Sequence, residues 1–414
     1  MIEASGYQKI QFYLFCSLMF ILPIYYPASS WVIVLLTANF IIFGRAIKKI
    51  KELRFNKLSI LYLIVYFLLI IGLLNTENKV NAFADLETKI SLLLAPLIIG
   101  TVRFSRQQLR YIGKLFLFGC LVSMLIFLLI SVYNFHQNGN TDEFYYHKLA
   151  RWIHPSYYSV YLNFMFAIFV RYVVLNWNRI ELRVKIMVGF LILLTAVFIF
   201  MLVARIGLLL LLGVMLWGIL YMSIKYKKWK TSLAFLVIIS GAIMAILLIS
   251  DVPQRRFQVS MNEIARFNAD GVVDSSERPF LWKAALLVIE DNWVIGVGTG
   301  DIKSELLLQY KKIGLEKAHR EKLNTHNQIL QTAVGNGILG GVLILLLLII
   351  PVLKAVKYKN VLYILFVVSF GAFMLFESAL EVQAGIVYFS FVNLLFYSHC
   401  SETALAMKEE HLGD

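Results

Sequence analysis

The sequence predicts an all-α integral membrane protein, with about twelve transmembrane helices and one large helical loop outside the bilayer between the ninth and tenth. Three observations lead there. Of 414 residues, 60% are hydrophobic and only 15% charged, against roughly 25% charged in soluble domains. Uncharged apolar runs recur along the whole chain, each near the ~20 residues a helix needs to cross a ~30 Å hydrocarbon core. Basic residues gather in every second connection, as expected of a chain that passes back and forth between two faces.

The expected spans are 10–27, 31–47, 58–74, 86–101, 111–134, 157–176, 184–203, 206–224, 232–250, 327–352, 361–377 and 383–399. The opening "MIEASGYQK" is too polar for the basic region of a cleavable signal, so the first run reads as a retained span. Five connections, "RAIKKIKELRFNK", "VRFSRQQLR", 171–185, "KYKKWK" and "LKAVKYK", hold 20 of the 39 Lys and Arg residues. The positive-inside rule places these loops and both termini in the cytoplasm. The net charge of +14 is therefore a matter of topology and argues against nucleic acid as a partner. Cys16, Cys120 and Cys400 all sit in apolar runs, which excludes a disulfide framework, and no Cys/His cluster suggests a metal. The chain divides into spans one to nine (1–250), an external loop (251–325), spans ten to twelve (326–400) and a cytoplasmic tail (401–414).

One apolar tract breaks the pattern. From Ile186 to Ile224 there are 39 residues with a single charged side chain, Arg205. An unpaired guanidinium in lipid costs at least about 2.5–3.5 kcal/mol, so the tract reads as two helices meeting near Arg205 at the outer rim. A snorkelling anchor is one reading of such an arginine. A lone cation in a minimal outward turn nevertheless runs against the charge bias of the loops.

In the external loop, "VPQRRFQVSMNEIARF" has helical spacing and suits the membrane surface. "DSSERPFLWKAALLVIEDN" reads as a helix opened by Ser275 or Ser276, with Pro279 in its first turn and Arg278 and Trp282 on one face. The glycines of "WVIGVGTGD" lack dinucleotide-fingerprint spacing and read as a tight turn. A basic helix over about 303–318 leads to "NTHNQILQTAVGNGILGG", where Thr325 and Gln328 have capping-box spacing. His326 would then open the next membrane helix, whose positive end keeps an imidazole neutral and attracts an anion. Arg205, Arg278 and His326 are thus all expected at one membrane face. Two guanidiniums beside a neutral base suit a phosphate-bearing substrate, with the imidazole taking a proton from an attacking hydroxyl.

At this point the sequence resembles the O-antigen ligase and polymerase superfamily. The resemblance rests on "HPSYYSVYLNF", "ARIG", "SSERPFLWKAALLVIEDNWVIGVGTGD", "THNQILQTAVGNGILG" and "LFESALEVQAGIVYFSF", in that order over roughly 85–400. It implies a bacterial inner-membrane enzyme with its active site facing the periplasm. It also implies metal-independent, inverting transfer of a glycan from undecaprenyl diphosphate, without a cofactor, to a lipid A–core sugar or another glycan acceptor. By the resemblance Arg205 and Arg278 hold the diphosphate and His326 activates the acceptor hydroxyl. Trp282 either packs the arginine helix or stacks on a sugar. Asn327 either orients His326 or simply belongs to the first helical turn. Glu377 and Glu381 either pair with the arginines or stay solvated. His154, Tyr157 and Tyr158 sit just outside the sixth span, as interfacial residues or glycan contacts.

A polymerase, or an enzyme moving the glycan to protein hydroxyls, would use the same donor and residues. A transporter for lipid-linked sugars would place ionisable groups or broken helices near mid-membrane, where these runs carry almost none. Metal-dependent transferases normally carry acidic residues in an early external loop, and "YYPASS" has none.

Overall fold

The computed structural model describes residues 2–42, 56–249 and 278–412. Among the described residues every regular element is helical. In chain order the helices are α1 (Ile2–Ile21), α2 (Tyr26–Ile42), α3 (Lys57–Ile71), α4 (Lys79–Thr88), α5 (Ser91–Ile99), α6 (Arg106–Asn138), α7 (Tyr146–Leu149), α8 (Pro155–Asn176), α9 (Leu182–Met201), α10 (Arg205–Tyr226) and α11 (Trp229–Ile249). They continue with α12 (Arg278–Asp291), α13 (Ile302–Lys312), α14 (Glu316–Glu321), α15 (Gln328–Lys357), α16 (Val361–Phe376) and α17 (Gln383–Leu412). Helices α6, α8, α9, α10 and α15 are long and apolar enough to cross a membrane, and α2, α3 and α16 are shorter apolar helices. The chain is a multi-pass membrane protein.

Two compact units are present. The first comprises Met1–Leu18, Pro27–Ile112 and Asn268–Asp414; the second comprises Met19–Tyr26 and Gly113–Phe267.

In the second unit the apolar tract around Arg205 breaks where expected. Helix α9 ends at Met201, and Val203 takes φ +46° before α10 starts at Arg205. Close packing of α8 and α10 sets this corner. A Cβ on Gly207 would lie 2.6 Å from the side chain of Ser159, and Asn163 Nδ2 donates to the Ser159 and Gly207 carbonyls at 2.8 and 3.0 Å. Tyr158 is fully buried, shares a 2.7 Å hydrogen bond with Ser123 and packs edge-on against Phe127 and Phe198. It is a packing residue inside the unit, not an interfacial one.

In the first unit two expected spans are corrected. The run 86–101 is not one crossing helix: α4 stops at Thr88, and α5 is nine residues long with Pro96 inside it. At 1.5 Å per residue α5 is about 14 Å long, half a hydrocarbon core. The break falls at Lys89, whose ammonium is buried and must meet carboxylates. The span 327–352 is also interrupted, because α15 leaves helical geometry at Asn336 and Gly337, the latter at φ +67°. The expected basic helix 303–318 is two helices, α13 and α14, parted by Gly314 at φ +76°. The surface helix over "VPQRRFQVSMNEIARF" and the caps Ser275 and Ser276 lie outside the described residues.

The apolar side of α12, with Leu281, Ala284 and Val288 one turn apart, packs with Leu306 and Tyr310 of α13 onto Ala333 and Val334 of α15. Full burial of a Leu or Val of this kind stabilises by about 1.5–3 kcal/mol. The glycine segment after α12 is a clasp as well as a turn. Val297 and Gly298 N–H donate to the Val334 and Gly335 carbonyls at 2.9 Å, beside the break in α15. On its other side Asn75 Nδ2 donates to the Gly296 carbonyl, and Asp301 accepts the Glu77 and Asn78 N–H groups at 2.6 and 3.0 Å. Gly298 sits at φ +94°, and a Cβ there would collide with Thr76 Oγ1 and lie 2.9 Å from the Asn75 carbonyl oxygen. Only glycine fits.

Candidate active site

The site is assembled in the first unit from the starts of α12 and α15 and the end of α16. Arg278 is the first residue of α12, with Pro279 behind it in the first turn, as the sequence suggested. Its Nη2 lies 3.2 Å from Glu377 Oε1, and its guanidinium stands 5.9 Å over the Phe376 ring. Trp282, one turn on, meets the same ring at 6.3 Å, so packing against α16 is one part of its role.

His326 departs from expectation. It is not the first residue of α15. Asn327 is the N-cap, its Oδ1 accepting from Ile329 and Leu330 N–H at 3.0 and 3.1 Å. Asn327 has the shorter route to these orphan donors, so the Thr325 cap does not form. Thr325 N–H instead donates to Gln331 Oε1. His326 thus stands one residue before the cap at φ +46°, its N–H held by Asn324 Oδ1 at 2.9 Å. Its Nδ1 lies 2.9 Å from Glu377 Oε2.

Glu377 therefore bridges Arg278 and His326. It is 8% exposed and sits at the C-cap of α16, one carboxylate oxygen facing Arg278 and the other His326. With Nδ1–H given to the carboxylate, the Nε2 lone pair is left to accept a proton, the division of labour that a carboxylate imposes on a catalytic imidazole. Two buried N–H groups at the site, Arg278 Nε and Trp282 Nε1, meet no acceptor among the described residues. Buried donors are nearly always satisfied, so two together suit an oxygen-rich ligand.

Behind the site lies a cluster that the sequence reading missed. Lys89, its side chain 5% exposed, pairs with Asp85 at 2.8 Å and Glu381 at 2.9 Å. Burial pushes the Asp85 carboxyl up, Lys89 pulls it down and Glu381 adds to the rise. Gln328 Nε2 donates to Glu381 Oε1 at 2.9 Å, and its Oε1 accepts Leu380 N–H at 2.6 Å. This ties the short turn Ala379–Glu381 to the start of α15, fixing Glu377 near His326. The sequence offered Glu381 as a partner for an arginine; it pairs with a lysine instead. The i, i+4 spacing of Asp85 and Lys89 was the one local sign of it, and the second partner, Glu381, is 292 positions away.

The structure thus brings Arg278, Trp282, His326, Asn327 and Glu377 together. Arg205 and Tyr157 belong to the second unit. There Arg205 is exposed as the first residue of α10. Tyr157 is 6% exposed in the first turn of α8, its ring 6.1 Å from that of His154, whose Nδ1 caps the helix by accepting Ser156 N–H. Among the described residues no group of three His, Cys, Asp or Glu side chains is placed to hold a metal.

These features define a class: a polytopic helical membrane protein with an arginine–carboxylate–histidine cluster at the ends of its helices. Residues 189–345 match the family model of the O-antigen ligases, Wzy_C, so the likeness read from the motifs holds. The matched segment contains Arg205, Arg278, Trp282, His326 and Asn327 and stops short of Glu377. No curated protein matches the chain.

Proposed function

We propose that this protein is an O-antigen ligase-type glycosyltransferase. It moves a polysaccharide from undecaprenyl diphosphate to a hydroxyl of a lipid A–core sugar at the periplasmic face of the bacterial inner membrane, without metal or cofactor. In this reading both termini lie in the cytoplasm. The observation that carries it is the Glu377–His326 pair beside Arg278. His326 Nε2 takes the proton of the acceptor hydroxyl. The oxygen attacks the anomeric carbon from the face opposite the leaving group, the glycosyl C–O bond breaks and configuration inverts. The undecaprenyl diphosphate leaves with its charge met by Arg278 and, in this proposal, Arg205; guanidiniums suit a diphosphate because they bind it through paired N–H groups. Trp282 Nε1 offers a further donor to the substrate, and Tyr157 a glycan contact.

A polymerase joining lipid-linked repeat units, or a transferase to protein hydroxyls, shares this chemistry and differs in acceptor alone. Deletion in the native host, followed by gel analysis of lipopolysaccharide, decides between them. Loss of all capped core supports the ligase. A single repeat unit left on the core points to the polymerase, and unchanged lipopolysaccharide with loss of protein glycosylation points to the third. Alanine at Arg205, Arg278 or His326 is expected to abolish transfer with insertion intact; full activity of His326→Ala removes the proposed base.

A further inference from the structure

The turn joining α12 to α13 carries three consecutive large apolar side chains that the fold leaves open. Trp293, Val294 and Ile295 are 60%, 58% and 63% exposed. Backbone and side-chain bonds fix the turn on both sides: the Trp293 carbonyl accepts Ile338 N–H at 2.9 Å, and the Gly296 carbonyl accepts Asn75 Nδ2 at 2.8 Å. Ile338 follows directly on the break in α15.

From Ile338 onward α15 shows an outward apolar stripe. Ile338, Val342, Leu345, Ile349, Leu353 and Val356 recur every three or four residues and are between 39% and 64% exposed. Such spacing defines one helix face. Residues 338–353, ahead of the basic pair Lys354 and Lys357, form a segment of about 24 Å, most of the thickness of a hydrocarbon core, and the stripe runs along its lipid-facing side. The turn is therefore bonded to the end of a lipid-facing surface and continues it. Leu74, next to Asn75, adds a side chain that is 86% exposed.

We infer that the Trp293–Val294–Ile295 turn is a membrane anchor, resting at the headgroup–acyl boundary of the leaflet on the side of α12–α14. The occupant of this surface is lipid. Tryptophan favours that depth, with its ring in the acyl region and its N–H among headgroups. The carboxylates of Glu290 and Asp291, both exposed at the end of α12, set the limit, since deeper immersion would carry charge into hydrocarbon. The inference is independent of the proposed function.

The test is a nitroxide at Ile295→Cys, and separately at Val294→Cys, in the full chain reconstituted in phosphatidylethanolamine–phosphatidylglycerol vesicles. Lys312→Cys, exposed at the end of α13, is the aqueous reference; Cys16, Cys120 and Cys400 are buried. Collision with dissolved oxygen is expected to exceed collision with a water-soluble nickel chelate several-fold at 294 and 295, with the order reversed at 312. A label at both positions as accessible to nickel as at 312 overturns the anchor. So does a label shielded from both reagents, which would make the occupant protein.

Discussion

At the scale of single residues, the site depends on a carboxylate that serves two partners, a guanidinium and an imidazole. Replacing Glu377 by glutamine keeps the shape but removes the acceptor that orders the imidazole. Transfer should fall by up to about 10,000-fold, as when the carboxylate behind a catalytic histidine becomes an amide and the wrong tautomer forms, with folding retained; a glycan-transfer assay on purified membranes checks it. A second prediction concerns Val203. A β-branched residue at φ +46° is strained by about 1–2 kcal/mol, and the strain sits two residues before Arg205. Val203→Gly should therefore raise thermal stability in detergent by about 1 kcal/mol. Arg278, Trp282 and His326 were legible in the sequence because their motifs are local. The pairing of Glu377 with an arginine was open as one of two readings; its contact with His326, 51 positions away, was not foreseen. The helix start was misjudged by two residues because both Thr325 and Asn327 can cap, and sequence alone does not choose between two good caps.

At the scale of elements, hydropathy found the helices and missed their interruptions. Breaks at Lys89 and at Asn336–Gly337 are set by long-range partners, the first by Glu381 and the second by the glycine clasp lodged beside it. A window that averages apolar residues passes over both. The glycines of "GVGTG" looked like an ordinary turn, yet all three, Gly296, Gly298 and Gly300, sit where a side chain would strike the α3–α4 connection or α15. Gly298→Ala is expected to destabilise by about 1–3 kcal/mol through both the collision and the positive φ, measurable as a lower Tm. Lys89→Met should be worse, at about 3–5 kcal/mol, because it leaves Asp85 and Glu381 buried with no cation between them. Thermal unfolding that matches the parent would show that cluster to be dispensable.

At the scale of the whole molecule, the class was clear from composition and loop charge, while the count of crossings was not. Single cysteines in the basic connections, such as Arg179→Cys and Lys227→Cys, should resist a membrane-impermeant maleimide added to intact cells whose outer membrane is permeabilised. Lys312→Cys should react. The opposite pattern would invert the topology. The interruption in α15 has a geometric consequence of its own. Because 338–353 alone covers about 24 Å of the bilayer core, most of the eight-residue stretch 328–335 is spare, and at 1.5 Å each those eight residues measure about 12 Å. That length is the greatest height to which this segment can lift His326 above the fatty tails. It is the reach of a sugar or two, so a glycan tethered by its lipid would meet the ring with its first units only.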